Sequence, residues 1–506
     1  MDKSVDKGKR ARIAAIRNEV VALRLSIEVL EAEERDLESD LATVVYPVLT
    51  LPNEITSRIF LQCLPSHGRV RPSPRKAPLI LAQICRQWRE IALSTSEMWC
   101  SIDLSFQFGY IGRQPNGREY GDIPNDGATP LLLEWLSRTK GRPTSLTLRS
   151  RHGQLSSQIL AAIRPFAIQS HRLELMLTPQ DCHSLFAVSS DSSVAFLGLR
   201  DLAVHCYSRG PSAQSLASIF KAAPVLRTLR ILTDPDAFLP LFSYPRLNSL
   251  ELRDTSMLTL LDALIQFPQL SHIKACLNEP INVSGRPYIH TAPYLQSLIL
   301  STYCGFTAPA DPVLDWLTLP NLRRLELDHE PQFHVLSSFL TRSSCVLEHL
   351  GLSITTREQI GELPDIWQKC PSITSLEINA DEYILEFVMT LTIHVNRWPD
   401  LKPSPLPCLR ALTVTTWKLD FGYELLMHCL RDTMDPKRHP LPLQSFHLKL
   451  CHDPSDTQHS IWLPSKLIQA ELGRIVAEGI DIRITTPGVL YWPDKLNYVE
   501  KGETFP

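Results

Sequence analysis

An apolar motif of the form Leu-x-x-Leu-x-Leu recurs ten times between residues 199 and 448, and it narrows the fold of this chain more than any other feature. The occurrences start Leu199-Leu202-Val204, Leu226-Leu229-Ile231, Leu247-Leu250-Leu252, Leu270-Ile273-Ala275 and Leu295-Leu298-Leu300. They continue Leu322-Leu325-Leu327, Leu347-Leu350-Leu352, Ile373-Leu376-Ile378, Leu409-Leu412-Val414 and Leu443-Phe446-Leu448. Successive starts lie 21 to 36 residues apart. Pro224, Pro245, Pro268, Pro293, Pro320, Pro371 and Pro407 each stand two positions before a start, where proline ends a helix and opens a strand. A unit of this length cannot bury its own apolar side, so neighbouring units must stack. The expected result is a solenoid with parallel strands on one face and helices on the other. Leu216–Phe220, Leu260–Ile265 and Val335–Leu340 are the helical stretches. Leu146-Thr147-Leu148 and Leu173-Glu174-Leu175 read as strands of two earlier units. Near the end, Ser465 caps a helix running to Gly479, and Ile480–Ile484 alternates like a last strand.

The motif and its spacing resemble leucine-rich repeats. The asparagine that regular repeats carry after the strand is mostly missing: eight positions after each start, only Asn278 matches. An irregular α/β solenoid is therefore expected over 105–485, with a C-terminal tail over 486–506. Residues between the strand leucines should face the concave side. Among them, Arg230, Glu251, Arg253, Lys274, Arg324, Glu326 and Glu377 are the candidate target-binding residues, and His447 and Lys449 lie on the same side. Their mixed signs suit a protein ligand of patchy charge, and equally suit a solvated strand face.

Upstream, Leu51-Pro52-Asn53-Glu54-Ile55 is followed by Ile59-Phe60 and Leu64. A second segment runs Ile84-Cys85-Arg86-Gln87-Trp88-Arg89-Glu90-Ile91-Ala92 and then reaches Trp99. Proline suits a first helical turn, Glu54 suits the positive end of the dipole, and Ile55, Ile59, Phe60 and Leu64 form an apolar face. Pro65 stops that helix. Leu81, Ile84, Cys85, Trp88, Ile91 and Ala92 form a second face. The residues alone fit a helical hairpin. The order Leu-Pro, Ile-Phe, Cys-Arg-x-Trp and Trp99 resembles an F-box, an all-α three-helix module, assigned here to 47–104. That resemblance implies docking onto a Skp adaptor held by a cullin scaffold. Matched position by position, the docking residues are Leu51, Pro52, Ile55, Ile59, Leu79 and Trp88, some of which must serve the module's own core. The basic, proline-containing stretch 66–77 is longer than the family's usual link and reads as a surface loop.

Residues 1–43 form a third element. Ile13, Val20, Ile27 and Leu41 occupy one seam position of a heptad, and Ile16, Leu23, Leu30 and Leu37 the other, with Glu34 as the interruption. β-Branched residues at the first position and leucine at the second favour a parallel two-stranded coiled coil, hence a homodimer through 13–41. A helix packed on its own chain, or one that stays single and frayed, is the alternative. Lys7–Arg12 is a short basic tip.

The formal net charge of −3 gives no electrostatic reason to expect nucleic-acid or membrane binding, and no apolar run is long enough to span a bilayer. Twelve cysteines are scattered without a Cys-x-x-Cys pair, which speaks against zinc knuckles and for reduced thiols in the cytoplasm or nucleus. No phosphate loop, nucleophile elbow or His-Glu-x-x-His helix is present, and the adjacent pairs His428-Cys429 and Cys451-His452 lack further metal partners. No cofactor, metal or catalytic residue is expected. The layout resembles F-box proteins with irregular leucine-rich repeats, of the kind abundant in mushroom-forming fungi. It implies a non-catalytic substrate-recognition subunit of a Skp–cullin–F-box type E3 ubiquitin ligase. The alternatives are an interaction scaffold without a ubiquitin role and a regulator of a small GTPase.

Overall fold

The computed structural model describes residues 3–43, 47–65, 68–106, 128–150, 155–186, 196–206, 223–232, 235–239, 244–278, 289–302, 312–329, 331–380, 383–396, 406–416, 443–451, 466–486 and 489–492. The expected helix Leu216–Phe220, the pair His428-Cys429, His452 and Ser465 lie outside these residues. The chain divides into two compact units, Met1–Trp99 and Cys100–Pro506. Among the described residues, no helix is long and apolar enough to cross a membrane.

Among the described residues, the first unit is all-helical. It begins with α1 (Lys3–Thr43), a single helix of 41 residues whose seam residues from Ile13 to Leu37 are exposed. After a short 3-10 turn (Pro47–Thr50) comes α2 (Asn53–Gln62). Pro52 stands just outside α2 as its N-cap, with φ −53° and ψ 145°, and its carbonyl accepts from the N–H groups of Ile55 and Thr56. The helix ends at Gln62, before Pro65 is reached. The second apolar segment is two helices: α3 (Leu81–Ile84) and α4 (Arg86–Ser94). The break falls at Cys85, whose extended backbone (φ −153°, ψ 170°) lets its Sγ accept from the Trp88 N–H at 3.4 Å. Phe60, Leu81, Ile91, Ala92, Met98 and Trp99 form the interior, and Trp99 Nε1 donates to the Ala92 carbonyl at 2.9 Å. The 66–77 stretch departs from a plain surface loop: Val70 is buried, pinning its middle to the unit.

The second unit is mixed α/β, built on one large sheet. Its strands are β1 (Ser101–Phe106), β2 (Thr144–Ser150), β3 (Ser170–Leu177), β4 (Asp201–Cys206), β5 (Thr228–Ile231), β6 (Ser249–Thr255) and β7 (His272–Leu277). They continue with β9 (Ser297–Thr302), β11 (Arg324–Asp328), β12 (His349–Ser353), β13 (Ser375–Asn379), β14 (Ala411–Thr416), β15 (Ser445–Leu450), β16 (Asp481–Thr486) and β17 (Val489–Trp492). Sheet order follows chain order throughout, and every neighbouring pair is parallel except the antiparallel β16–β17. A separate parallel pair joins β8 (His290–Thr291) and β10 (Leu317–Thr318). Because β1 pairs with β2, the sheet starts inside the span that the sequence assigned to the helical module. Inside the span read as a tail, β17 closes the other edge.

Register explains the repeat. The middle leucines Leu229, Leu250, Ile273, Leu298, Leu325, Leu350, Leu376, Leu412, Phe446 and Ile482 are direct neighbours across successive strands, and all are buried. The last residues of each motif form a second buried row. Helices Met257–Gln266, Phe333–Ser343 and Arg357–Lys369 add buried Leu260, Leu264, Leu336, Phe339, Leu363 and Trp367 to that interior.

The first leucine of each motif and its proline do something different from the sequence expectation. The strand begins two residues after that leucine, not at it. At all seven proline sites the leucine or isoleucine N–H donates to the carbonyl three residues back: Leu226 to Ala223, Leu247 to Tyr244, Leu270 to Phe267, Leu295 to Ala292, Leu322 to Leu319, Ile373 to Cys370 and Leu409 to Leu406. Each proline is thus the second residue of a turn, the position its fixed φ suits best. Between turn and strand, one carbonyl accepts two N–H groups from the next repeat. Gln296 O takes Arg323 and Arg324, Arg323 O takes Glu348 and His349, and Glu348 O takes Thr374 and Ser375. The same pairing runs on through Thr374 and Arg410.

Candidate interaction surfaces

Helix α2 has two distinct faces rather than a single apolar one, offset by one residue. Thr56 and Phe60, one turn apart, point into the unit and are buried. Ile55 and Ile59, also one turn apart, are 47% and 42% exposed. The sequence merged Ile59 and Phe60 into one stripe; adjacent helical residues diverge by about 100°, so they sit on different faces. Pro52 is exposed, and Leu51 and Leu79 are half-buried. Three further exposed apolar residues are Leu49, Ile80 and Ile84. Ile84 was expected on the inner stripe of a continuous helix, and the break at Cys85 turns it outward. Trp88 goes the other way. Its ring meets Phe60 edge-on with centroids 4.9 Å apart, and its Nε1 is buried, so it serves the hairpin interior more than the outer surface.

On the second unit, the residues between the two buried leucine rows form one row across the whole sheet. From β1 to β16 it reads Asp103, Thr147, Glu174, Ala203, Arg230, Glu251, Lys274, Ile299, Glu326, Gly351, Glu377, Thr413, His447 and Arg483. Five of the seven sequence candidates lie on it. Arg324 and Arg253 stand two positions before and after it on their strands.

This row is not uniformly open. At the β1 end Asp103 and Glu174 are buried, and Arg149 on β2 reaches both, at 3.7 and 3.6 Å. Arg230 pairs with Glu174 at 3.6 Å and is about three-quarters buried as a side chain. Its charge is thereby committed to Glu174 two strands away, across Ala203 of β4, whereas Lys274 and Arg253 are exposed.

The second cluster sits on β11–β15. Glu326 pairs with Arg324 on its own strand, and His349 Nε2 stands 3.0 Å from Glu326 Oε1. His349 Nδ1 shares a hydrogen bond of 3.0 Å with the Ser375 hydroxyl. Lys449 crosses the small threonines of β14 to reach Glu377 at 2.6 Å. Contact with His349, and then the Arg324 guanidinium, hold the Glu326 carboxyl below its ordinary range against the opposing effect of burial. Glu326, His349 and Glu377 present donor atoms within 4.8 Å of one another. Arg324 and Lys449 already balance both carboxylates, so the group is an ion-pair network rather than a ready cation cage.

His349 and Gly351 were legible by the same rule that selected Glu326, since they fall between the leucines of the unit starting at Leu347. Burial pushes the Cys370 thiol up to about 12, with the neighbouring Cys345 adding to the rise, so this thiol is a core residue rather than a nucleophile.

Comparison with models of known protein families finds no match, and no curated protein matches the chain.

Proposed function

We propose that this chain is the substrate-recognition subunit of a Skp–cullin–F-box type E3 ubiquitin ligase, working in the cytoplasm or nucleus. In this reading the helical unit is an F-box that docks the Skp adaptor, and through it the cullin. The α/β unit is an irregular leucine-rich-repeat solenoid that holds a target protein. One observation carries the reading: Ile55 and Ile59 stay in water immediately after Leu51-Pro52, while the next face round the same helix, Thr56 and Phe60, makes the core. Exposing two isoleucines one turn apart costs burial that a self-sufficient helical hairpin would take. With Ile80 and Ile84 also exposed, the helical unit offers apolar surface suited to a partner.

The open, mixed-charge part of the sheet face from Glu251 to Glu377 suits a target of patchy charge. Catalysis then lies in positioning the target near an enzyme elsewhere in the assembly.

The test is co-purification of the full chain with the Skp adaptor, beside Leu51→Ala/Pro52→Ala and Ile55→Asp/Ile59→Asp variants. Stoichiometric retention by the wild type and loss by the folded variants support the reading. Failure of the wild type to bind the adaptor overturns it in favour of a non-ligase interaction scaffold. Adaptor binding without cullin in the complex overturns the ligase role alone.

A further inference from the structure

The exposed seam of α1 is the largest apolar stripe on the helical unit. Ile13, Ile16, Val20, Leu23, Ile27, Leu30 and Leu37 follow steps of three and four, apart from the gap at Glu34, and each is 41–60% exposed. We infer that this stripe is covered by α1 of a second copy of the chain, and that the two helices run antiparallel.

Charge along the helix supplies the partner. Residues 3–24 carry seven basic and two acidic side chains, and residues 25–43 carry seven acidic and one basic. This order opposes the helix dipole, which favours acids near the N-terminus and bases near the C-terminus. A lone α1 is therefore weakened by its own charges. An antiparallel copy lays each basic half against an acidic half and converts the penalty into attraction.

The rows flanking the seam give the same answer residue by residue. Arg17, Arg24, Glu31 and Glu38 each follow a leucine or isoleucine of the second seam position; Arg12, Glu19, Ser26, Glu33 and Asp40 precede the first. In a parallel pair the two rows face each other with a five-residue offset. Arg12 then meets Arg17 and Glu33 meets Glu38 of the second copy, and only Glu19 with Arg24 attracts. A parallel pair also brings the two Glu34 side chains face to face inside the seam. In an antiparallel pair each row faces its own kind. With Ile27 layered on Leu30 of the second copy, Arg17 faces Glu38 and Arg24 faces Glu31, each twice by symmetry. Glu19 facing Asp40 is the one repulsive contact, and the two Glu34 residues are parted, each facing Leu23. The seam composition alone favoured a parallel pair; the charges reverse that orientation. This pairing is independent of adaptor docking.

The test is sedimentation equilibrium of the full chain, in which the wild type should run at twice its 57.2 kDa monomer mass. Glu31→Arg/Glu38→Arg makes the facing row all basic, and Arg17→Glu/Arg24→Glu makes it all acidic. Each variant alone should dimerise about tenfold more weakly or worse, and an equimolar mixture should recover a dimer. Recovery on mixing also shows that both variants fold. A parallel pair predicts the opposite for Glu31→Arg/Glu38→Arg, because that change removes the Glu33–Glu38 repulsion; dimerisation as tight as wild type overturns the orientation. A monomeric wild type, or variants that both dimerise unchanged, overturns the pairing itself.

Discussion

A Cβ added to Gly351 would lie 2.8 Å from the Cγ of Glu326 on the neighbouring strand. Gly351 is the one glycine of the outward row, and its missing side chain leaves the space through which Glu326 reaches His349. Glycine weakens a strand interior, so alanine elsewhere in a strand tends to stabilise. Here Gly351→Ala should destabilise by about 1–3 kcal/mol, the usual cost of overpacking. In a Glu326→Ala background the same change should be neutral or favourable. Urea denaturation of the four proteins of this cycle checks the coupling.

Phe60 and Ile59 are adjacent in sequence and opposite in consequence. Phe60→Ala should cost about 3–5 kcal/mol, because it empties the site against which Trp88 packs. Trp88→Ala should cost somewhat less, about 2–4 kcal/mol, since that ring is half-buried. Ile59→Ser, on the exposed side, should stay within about 0.5 kcal/mol of wild type. Thermal melts of the three variants discriminate the faces, and equal losses at positions 59 and 60 contradict the two-sided helix.

His447 and Glu326 make stability depend on acid in separate windows, and His205, lowered by burial and then by Arg253, shares the first of them. Burial, followed by Lys449 and Arg483, lowers the His447 pKa below its ordinary 6.5. The unfolded chain therefore takes up that proton first, and stability falls as pH drops from 6.5 through the folded value. Glu326 is held below 4.5, so its contribution is full above 4.5 and lost as pH falls further. His447→Gln should shrink the first decline, leaving the share of His205, and Glu326→Gln should flatten the second, as read from melting temperature against pH.

Arg342 ties one repeat to the one before it. Its guanidinium donates to the carbonyls of Leu314 at 2.6 Å and Leu317 at 3.0 and 3.1 Å. Arg342→Met keeps the stem but orphans these carbonyls, and should cost about 1.5–3 kcal/mol. Arg342→Lys should recover only part of this, because an ammonium lacks the planar fork. Hydrogen exchange should loosen first at the Leu317–Leu319 backbone; protection unchanged there contradicts a tethering role.

The strands were the most legible part of this chain, because a two-residue alternation anchored on leucine fixes both register and face. Leu229 to Phe446 were readable one by one, and so was the outward row. What sequence missed was set by contacts between distant segments. Arg230 carries the same pattern as Lys274, yet only Arg230 lies beside a buried glutamate. Cys85 sat within an unbroken helical stripe, and nothing local announced that its thiol would cap a new helix and turn Ile84 outward. The prolines were correctly seen as punctuation; their turn is closed locally by the carbonyl three residues back, but the two-residue delay before each strand depends on a carbonyl of the preceding repeat.

The carbonyl that accepts two N–H groups at the strand entrances from β5 to β15 of the large sheet has an evolutionary consequence. It is the same junction whether the following unit is short, as from Leu226 to Leu247, or long, as from Ile373 to Leu409. A complete unit removed or duplicated between two such junctions leaves every remaining strand in register. Lineages carrying this architecture are thus free to change the length and outward residues of their arrays by recombination, without redesigning the interior each time.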